Sequence, residues 1–329
     1  MNSNSATQMA SASFEQGAEP CFRPRRLGHA NLFVGNYERA FDFYHRVAGF
    51  EEVYRQPDVP ASFLSNGNTY HDFGLTDVRS KYAAQGQKPG LFHIAFELET
   101  EVDLINGYQR SLRNGGKFDF AQNHDVAHSL YQTDPDGNMV EVYADVFEDW
   151  RSARTGVISG EKPEWIPGVT TVPVAESKYP KNPLLREVSS SVFRARRVTH
   201  VALVARQFEE MLAYYTGYIG LNPVASSDDW ALLGGTASDS ALTIYRGKTG
   251  DTFGFHHVGM EVGSEADLDR AVALLAQEGL LLERDIDHPS RRAVTVPDPD
   301  GIRLQFFVDR DWTARKLAGL SLADALYLL

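Results

Sequence analysis

The sequence predicts an α+β protein made of four copies of one strand–helix–strand–strand–strand module, paired two and two into similar domains. Three observations predict it. A strand-like apolar run followed by an amphipathic helix opens each module of the first half. Landmark residues of the first half return in the second at two fixed offsets, and an Asp-Pro-Asp-Gly turn recurs in both halves. A chain of 329 residues is long enough for two ordinary cores.

Residues 1–23 read as a disordered tail, its first twenty positions rich in Ser, Ala, Asn and Gln. Leu27–Val34 (LGHANLFV) is strand-like, and Tyr37–Val47 follows as a helix with Ala40, Phe41, Tyr44 and Val47 on one apolar face, stopped by Gly49. Short strands are expected at Glu51–Arg55, Ala61–Leu64 and Tyr70–Leu75, with Asn66-Gly67 as a turn. The order then repeats: strand Leu91–Leu98, helix Glu101–Asn114 ended by Gly115-Gly116, and strands Lys117–Phe120, Ser129–Thr133 and Asn138–Tyr143. Asp134-Pro135-Asp136-Gly137 separates the last two and is turn chemistry, with no reactive role expected.

The second half echoes the first. His29, Tyr44 and Gly49 recur 171 residues later as His200, Tyr215 and Gly220, while His93 and the Asp-Pro-Asp-Gly turn recur 164 residues on as His257 and Asp298–Gly301. Repetition of this kind means a duplicated architecture. The predicted organisation is a tail to 23, a domain over 24–147, a surface connector over 148–196 anchored by Trp165, a second domain over 197–310 and a C-terminal helix over 311–329. That last segment is apolar enough to dock on the body or on a second subunit, and a homo-oligomer is expected.

A net charge of −12 argues against nucleic acid or an anionic membrane as partner, because nothing offsets phosphate repulsion. Arg194, Arg196 and Arg197 form only a local basic cluster. One cysteine, Cys21, excludes an internal disulfide framework and suits a reducing compartment. With no basic start before an apolar run and no stretch near the roughly 20 residues of a membrane span, a cytoplasmic location is expected.

Three potential ligands stand at matched points of the first half. His29 and His93 are mid-strand in the two opening strands, and Glu141 lies in the last strand of the second module. A lone mid-strand histidine is more often a hydrogen-bonded core residue, but these two occupy equivalent positions. Approximate twofold symmetry would turn both imidazoles into one cavity, with Glu141 reaching it from a neighbouring strand. Two imidazoles and one carboxylate on one face are the arrangement of non-haem Fe(II) oxygenases.

The four-module layout with its His…His…Glu triplet resembles the vicinal oxygen chelate superfamily, which includes glyoxalases, antibiotic-resistance binding proteins and type I extradiol ring-cleaving dioxygenases. The resemblance covers about residues 25–147 and 197–310. It implies domains that are each a cupped mixed sheet with helices outside, as in glyoxalases and extradiol dioxygenases. The dioxygenase signature reads here as His124, Leu130-Tyr131, Asp134-Pro135-Asp136-Gly137 and Glu141, with Gln122 outside the usual set two residues before the histidine. A His-Asp pair, His71-Asp72, precedes the second metal histidine. The resemblance implies Fe(II), with Mn(II) as the alternative, held by His29, His93 and Glu141. It also implies that a catechol-type diol and O2 are the reactants. His71 would hydrogen-bond dioxygen and donate a proton, while His124 and Tyr131 would bond the substrate oxygens and share acid–base work.

His128 competes with His124, and motif spacing favours His124; Trp150, Trp165 and His45 read as packing or surface residues. The second half departs from the pattern: His200, His257 and His288 remain, but Gln305 replaces the carboxylate, Thr295 the tyrosine, and Leu242 stands in place of His71. A scaffold role is expected there. In familiar two-domain extradiol enzymes the active half is C-terminal, whereas here the intact set is N-terminal. The competing readings are a glyoxalase-like lyase or isomerase using Zn or Ni, and a protein that sequesters a small aromatic molecule.

Overall fold

The computed structural model describes residues 19–329 apart from 312 and 318. The front sheet contains β1 (Arg26–Val34), β2 (Glu52–Gln56), β3 (Ala61–Leu64), β4 (Phe73–Asp77), β5 (Gly90–Glu97), β6 (Phe120–Asn123), β7 (Ala127–Thr133) and β8 (Met139–Asp145). Helices α1 (Tyr37–Phe43) and α2 (Glu101–Arg113) follow β1 and β5. The strands lie in the order β6-β7-β8-β5-β1-β4-β3-β2. Each opening strand pairs in parallel with the last strand of its own module, and the two opening strands pair antiparallel at the centre. That is the approximate twofold the repeat implies.

The rear sheet repeats the plan with β10 (Ala195–Ala205), β11 (Asn222–Ser226), β12 (Trp230–Gly234), β13 (Leu242–Arg246), β14 (Gly254–Val262), β15 (Arg284–His288), β16 (Arg291–Pro297) and β17 (Arg303–Asp309). Its order is β11-β12-β13-β10-β14-β17-β16-β15, again with antiparallel opening strands β10 and β14 at the centre. Helices α4 (Phe208–Ala213) and α5 (Glu265–Gln277) complete the modules. The chain therefore folds as two α+β domains with mixed sheets.

Asn36 caps α1 by accepting from the Arg39 amide at 2.9 Å. The predicted helix to Val47 changes character after Phe43 and finishes as a π-helical turn, Tyr44–Ala48, closed by Gly49 at φ 95°. Its repeat does the same over Tyr214–Tyr218. Strand alternation divides β1 between two environments. His29 and Asn31 line the cup, whereas Ala30, Leu32 and Val34 join an apolar core shared with the rear domain.

Polar side chains of the turns clasp the domains together. Tyr215 donates to Asp134 Oδ2 at 2.8 Å, and the reciprocal Tyr44–Asp298 contact is 3.4 Å. Asp136 accepts from the amides of Arg206 and Gln207, and Asp300 from that of Gly35. The Asp-Pro-Asp-Gly turns thus carry an interdomain role in addition to reversing the chain. Asn66, expected only in a turn, is fully buried and donates to the carbonyls of Gly49 and Ala195.

Three other expectations shift. Residues 1–18 of the expected tail lie outside the described residues, and the chain is packed from Cys21: Phe22 is 1% exposed and meets Phe118 and Tyr218 edge-on. The connector carries α3 (Trp150–Ala153) and a two-residue strand, β9 (Gly156–Val157), which joins the front sheet parallel to β2. The C-terminal segment forms two short helices, α6 (Ala314–Leu317) and α7 (Leu322–Leu328). Leu317, Ala325, Leu328 and Leu329 pack against Trp230, Leu232 and Phe307, so this segment fills the rear cup. Among the described residues no helix is long and apolar enough to cross a membrane.

Candidate metal centre and aromatic cavity

Three adjacent strands bring the predicted ligands together. His29 on β1 stands opposite Ala95 on β5, and Ala95 stands opposite Glu141 on β8. His93, two residues before Ala95, shares its face, and the small alanine leaves room between them. One ligand atom from each of His29, His93 and Glu141 lies within 4.8 Å of the others, and all three residues are buried. The Nε2 atoms of His29 and His93 approach Glu141 Oε2 at 3.1 and 3.0 Å. The His93 contact lacks hydrogen-bond alignment, and both nitrogens of that ring are buried without a partner. Burial opposes ionisation of Glu141, but the facing imidazoles hold its carboxyl well below the usual range. Two buried imidazole nitrogens that converge on one ionised carboxylate oxygen, that of His93 with no hydrogen bond of its own, fit a divalent cation.

Ser129, on β7, donates to Glu141 Oε1 at 2.6 Å and fixes the carboxylate from behind. The sequence reading missed it, although period-two alternation from Tyr131 places it on the same face.

The predicted His71, His124 and Tyr131 line the same cavity. The His71 ring lies 4.0 Å from that of His29, centroid to centroid, and its Nδ1 is 3.3 Å from the Tyr54 hydroxyl. Its Nε2 has no partner. Burial, with His29 beside it, pushes this imidazole well below the usual histidine range. His124 Nε2 is 3.0 Å from the Tyr131 hydroxyl. Burial and then Lys162 push His124 down as well, and burial raises Tyr131 well above the ordinary phenol value. Tyr131 stands opposite Glu141 and stacks on Phe120 at 4.3 Å. Two neutral imidazoles and a neutral phenol therefore surround the triad. The remaining walls are largely aromatic, from Tyr54, Phe63, Tyr82 and Phe92, and enclose about 110 Å³.

Asp72 does not join them. It accepts from Ser65 and from the Val198 amide at 3.1 Å, so it belongs to the domain contact, where burial pushes it up to about 6. His128 projects to the other face of β7, 2.6 Å from Glu101 and stacked on Trp165 at 4.3 Å. Trp150 and Trp165 are buried in packing, and His45 Nδ1 lies 2.9 Å from the Phe50 carbonyl.

The rear counterpart holds His200, His257 and Gln305 at corresponding register. Gln305 Nε2 donates to the Tyr327 carbonyl of α7 at 3.0 Å. Burial, and then the nearby Arg291 guanidinium, push His200 well below the usual range. A ligand set without negative charge beside a buried guanidinium is a poor cation site. His288, Thr295 and Leu242 bring no acid–base pair to it: Leu242 is apolar, and the Thr295 hydroxyl is buried without a partner.

Fold and site together define a vicinal-oxygen-chelate protein. Residues 26–142 and 197–306 match the Glyoxalase/Bleomycin resistance protein/Dioxygenase superfamily, and the chain belongs to it. It is 25% identical over 242 residues to a catechol-2,3-dioxygenase of Bacillus subtilis (strain 168), covering 72% of this chain and 74% of that protein. It is also 32% identical over 124 residues to biphenyl-2,3-diol 1,2-dioxygenase 3 of Rhodococcus globerulus, covering 37% of this chain and 64% of that protein. Among solved structures, a point mutant of homoprotocatechuate 2,3-dioxygenase of Brevibacterium fuscum matches with TM-score 0.65 at 14% identity, covering 90% and 74% of the two chains. The Mn(II)-bound glyoxalase of Novosphingobium aromaticivorans matches with TM-score 0.62 at 15% identity, covering 87% and 82%. Both structural likenesses concern the fold.

Proposed function

We propose that the chain is an extradiol dioxygenase that opens the ring of a catechol-type diol with O2 to a semialdehyde of the muconate type. One observation carries this reading: the triad is ringed, on one cup face, by His71 and the hydrogen-bonded His124–Tyr131 pair. A metal-dependent isomerase needs the triad alone. His29, His93 and Glu141 would hold Fe(II), or Mn(II), which accepts the same ligands. When bound, the metal would supply Lewis acidity toward the diol oxygens and a path for charge between diol and dioxygen.

The protein groups have separable tasks. His124, neutral at pH 7, accepts a proton from a diol hydroxyl through Nε2, and Tyr131 orients that hydroxyl. The Tyr54 hydroxyl lies 3.3 Å from His71 Nδ1; with the phenol as donor there, the ring proton sits on Nε2, where it would hydrogen-bond dioxygen. The aromatic walls exclude water and hold the ring flat.

Anaerobic loading with Fe(II), followed by a catechol panel, tests the proposal. The expected result is O2 uptake equal to diol consumed and a yellow product; His93→Ala abolishes both and His200→Ala keeps most of the rate. Exchange of those two outcomes, or turnover of a hemithioacetal without O2 uptake, overturns it.

A further inference from the structure

Lys162 enters the cavity from outside the repeated modules, on the connector between the domains. Its position is set from both sides. Two residues earlier the Gly160 amide is held by Asp58 at 3.0 and 2.9 Å, after β9 has joined the sheet. Three residues later Trp165 is buried against His128. Lys162 is partly buried and makes no ion pair among the described residues. Of the acids near it, Asp125 pairs with Arg154 at 2.8 Å, and Asp58, held by the Gly160 amide, lies beyond ion-pair distance of Lys162. Glu141, the one carboxylate among the described residues of the cavity lining, is committed to the imidazoles and Ser129. The remaining charges around Lys162 are Arg154 and, if protonated, His124. Burial, then Arg154, lower its ammonium to about 7, with Asp125, Asp58 and Glu141 opposing.

An amine held in an aromatic cavity without its own counter-ion is a receptor for an anion. We infer that Lys162 recognises a carboxylate on the substrate, so that the preferred diol carries an acidic substituent that reaches the connector wall. This rests on the dioxygenase reading for the diol, but not for the anion. A monoanion fits because Lys162 is the one lysine or arginine among the described residues that line the space, where Gln56, Gln122 and Asn31 add neutral amides.

The test compares 3,4-dihydroxybenzoate, 3,4-dihydroxyphenylacetate and 3-(3,4-dihydroxyphenyl)propanoate with their methyl esters. Both kcat/KM of the Fe(II)-loaded enzyme and anaerobic calorimetric binding are measured. Wild type is expected to favour the acid over the ester at one chain length at least. Lys162→Met should cut that acid/ester ratio on the order of 10- to 100-fold, the range of one charge-assisted hydrogen bond, and Lys162→Arg should retain most of it. An unchanged ratio in Lys162→Met, or a wild-type preference for the esters, overturns the inference. Lys162-dependent discrimination in binding with no O2 uptake on any diol would sustain it and overturn the dioxygenase reading instead.

Discussion

Ser129→Ala isolates the support behind Glu141, the carboxylate proposed to hold the metal. The hydroxyl is fully buried and donates to Glu141 Oε1 at 2.6 Å, while Oε2 faces the two imidazoles. Alanine keeps the shape of β7 and removes one donor. A hydrogen bond to a charged group contributes about 1.5–3 kcal/mol, and each 1.4 kcal/mol or so is a factor of about 10 in affinity. The substitution should therefore weaken divalent-metal binding on the order of 10- to 100-fold, the range found for partners of metal ligands. Competition of Mn(II) or Zn(II) against a chromophoric chelator at pH 7.5 measures it, and the urea midpoint of the metal-free protein separates affinity from folding. The loss should widen on acidification, because a carboxyl without its donor is harder to ionise. Affinity within twofold of wild type, in a protein of unaltered stability, would show that Ser129 does not act on Glu141.

Metal removal should lower Tm, and titration back should end at one ion per chain, because the rear ligand set is uncharged and lies beside Arg291; two equivalents by metal analysis would contradict this. Tyr215→Phe should cost about 1.5–2 kcal/mol in urea unfolding, since Asp134 keeps its Asn138 contacts, and Tyr44→Phe, which loses a 3.4 Å contact, less than about 1 kcal/mol. The metal-free protein should lose stability as pH falls from 7.5 to 5.5. Rear-cup His200, His256 and His257 are depressed by burial, His256 to about 3, so unfolded chains take up protons near 6.5 that the folded state refuses. Three such groups cost roughly 4 kcal/mol at pH 5.5. Front-cup His71 and His124, depressed in the same way, add to that loss, while Asp72 and Asp298, raised to about 6, return about 2 kcal/mol and buried Asp145, held well above its usual range, returns a further part. A urea midpoint that rises on acidification would refute the assignment of neutral buried histidines in the two cups.

The repeat was legible because its landmarks lie on strands, where alternation decides which face a side chain takes. Ala61–Leu64 coincides with β3, and the predicted helix from Glu101 differs from α2 by one residue at its end. Less regular stretches were not legible. The strand expected at Lys117–Phe120 begins only at Phe120, and Tyr70–Asp72 curl into the cup and domain contact instead of extending β4. Two adjacent residues of one short motif separate for this reason: His71 faces the cavity, whereas Asp72 holds the Val198 amide. Lys162 gave no signal, since no local pattern tells which segment of a connector will lie against a cavity. The π-helical ends of the helices after β1 and β10 were equally hidden, because a single i→i+5 turn is too short to set a period of its own.

The hairpin that carries Ser129, Tyr131 and Glu141 turns at Asp134, and that aspartate is gripped by a tyrosine of the opposite half. The rear domain therefore acts as the abutment of the front one, bracing the strand pair that carries Ser129, Tyr131 and Glu141. Severing the chain at the connector would remove that brace along with Lys162. Selection for an undistorted front cup can thus keep a complete second copy whose own cup is plugged by α7.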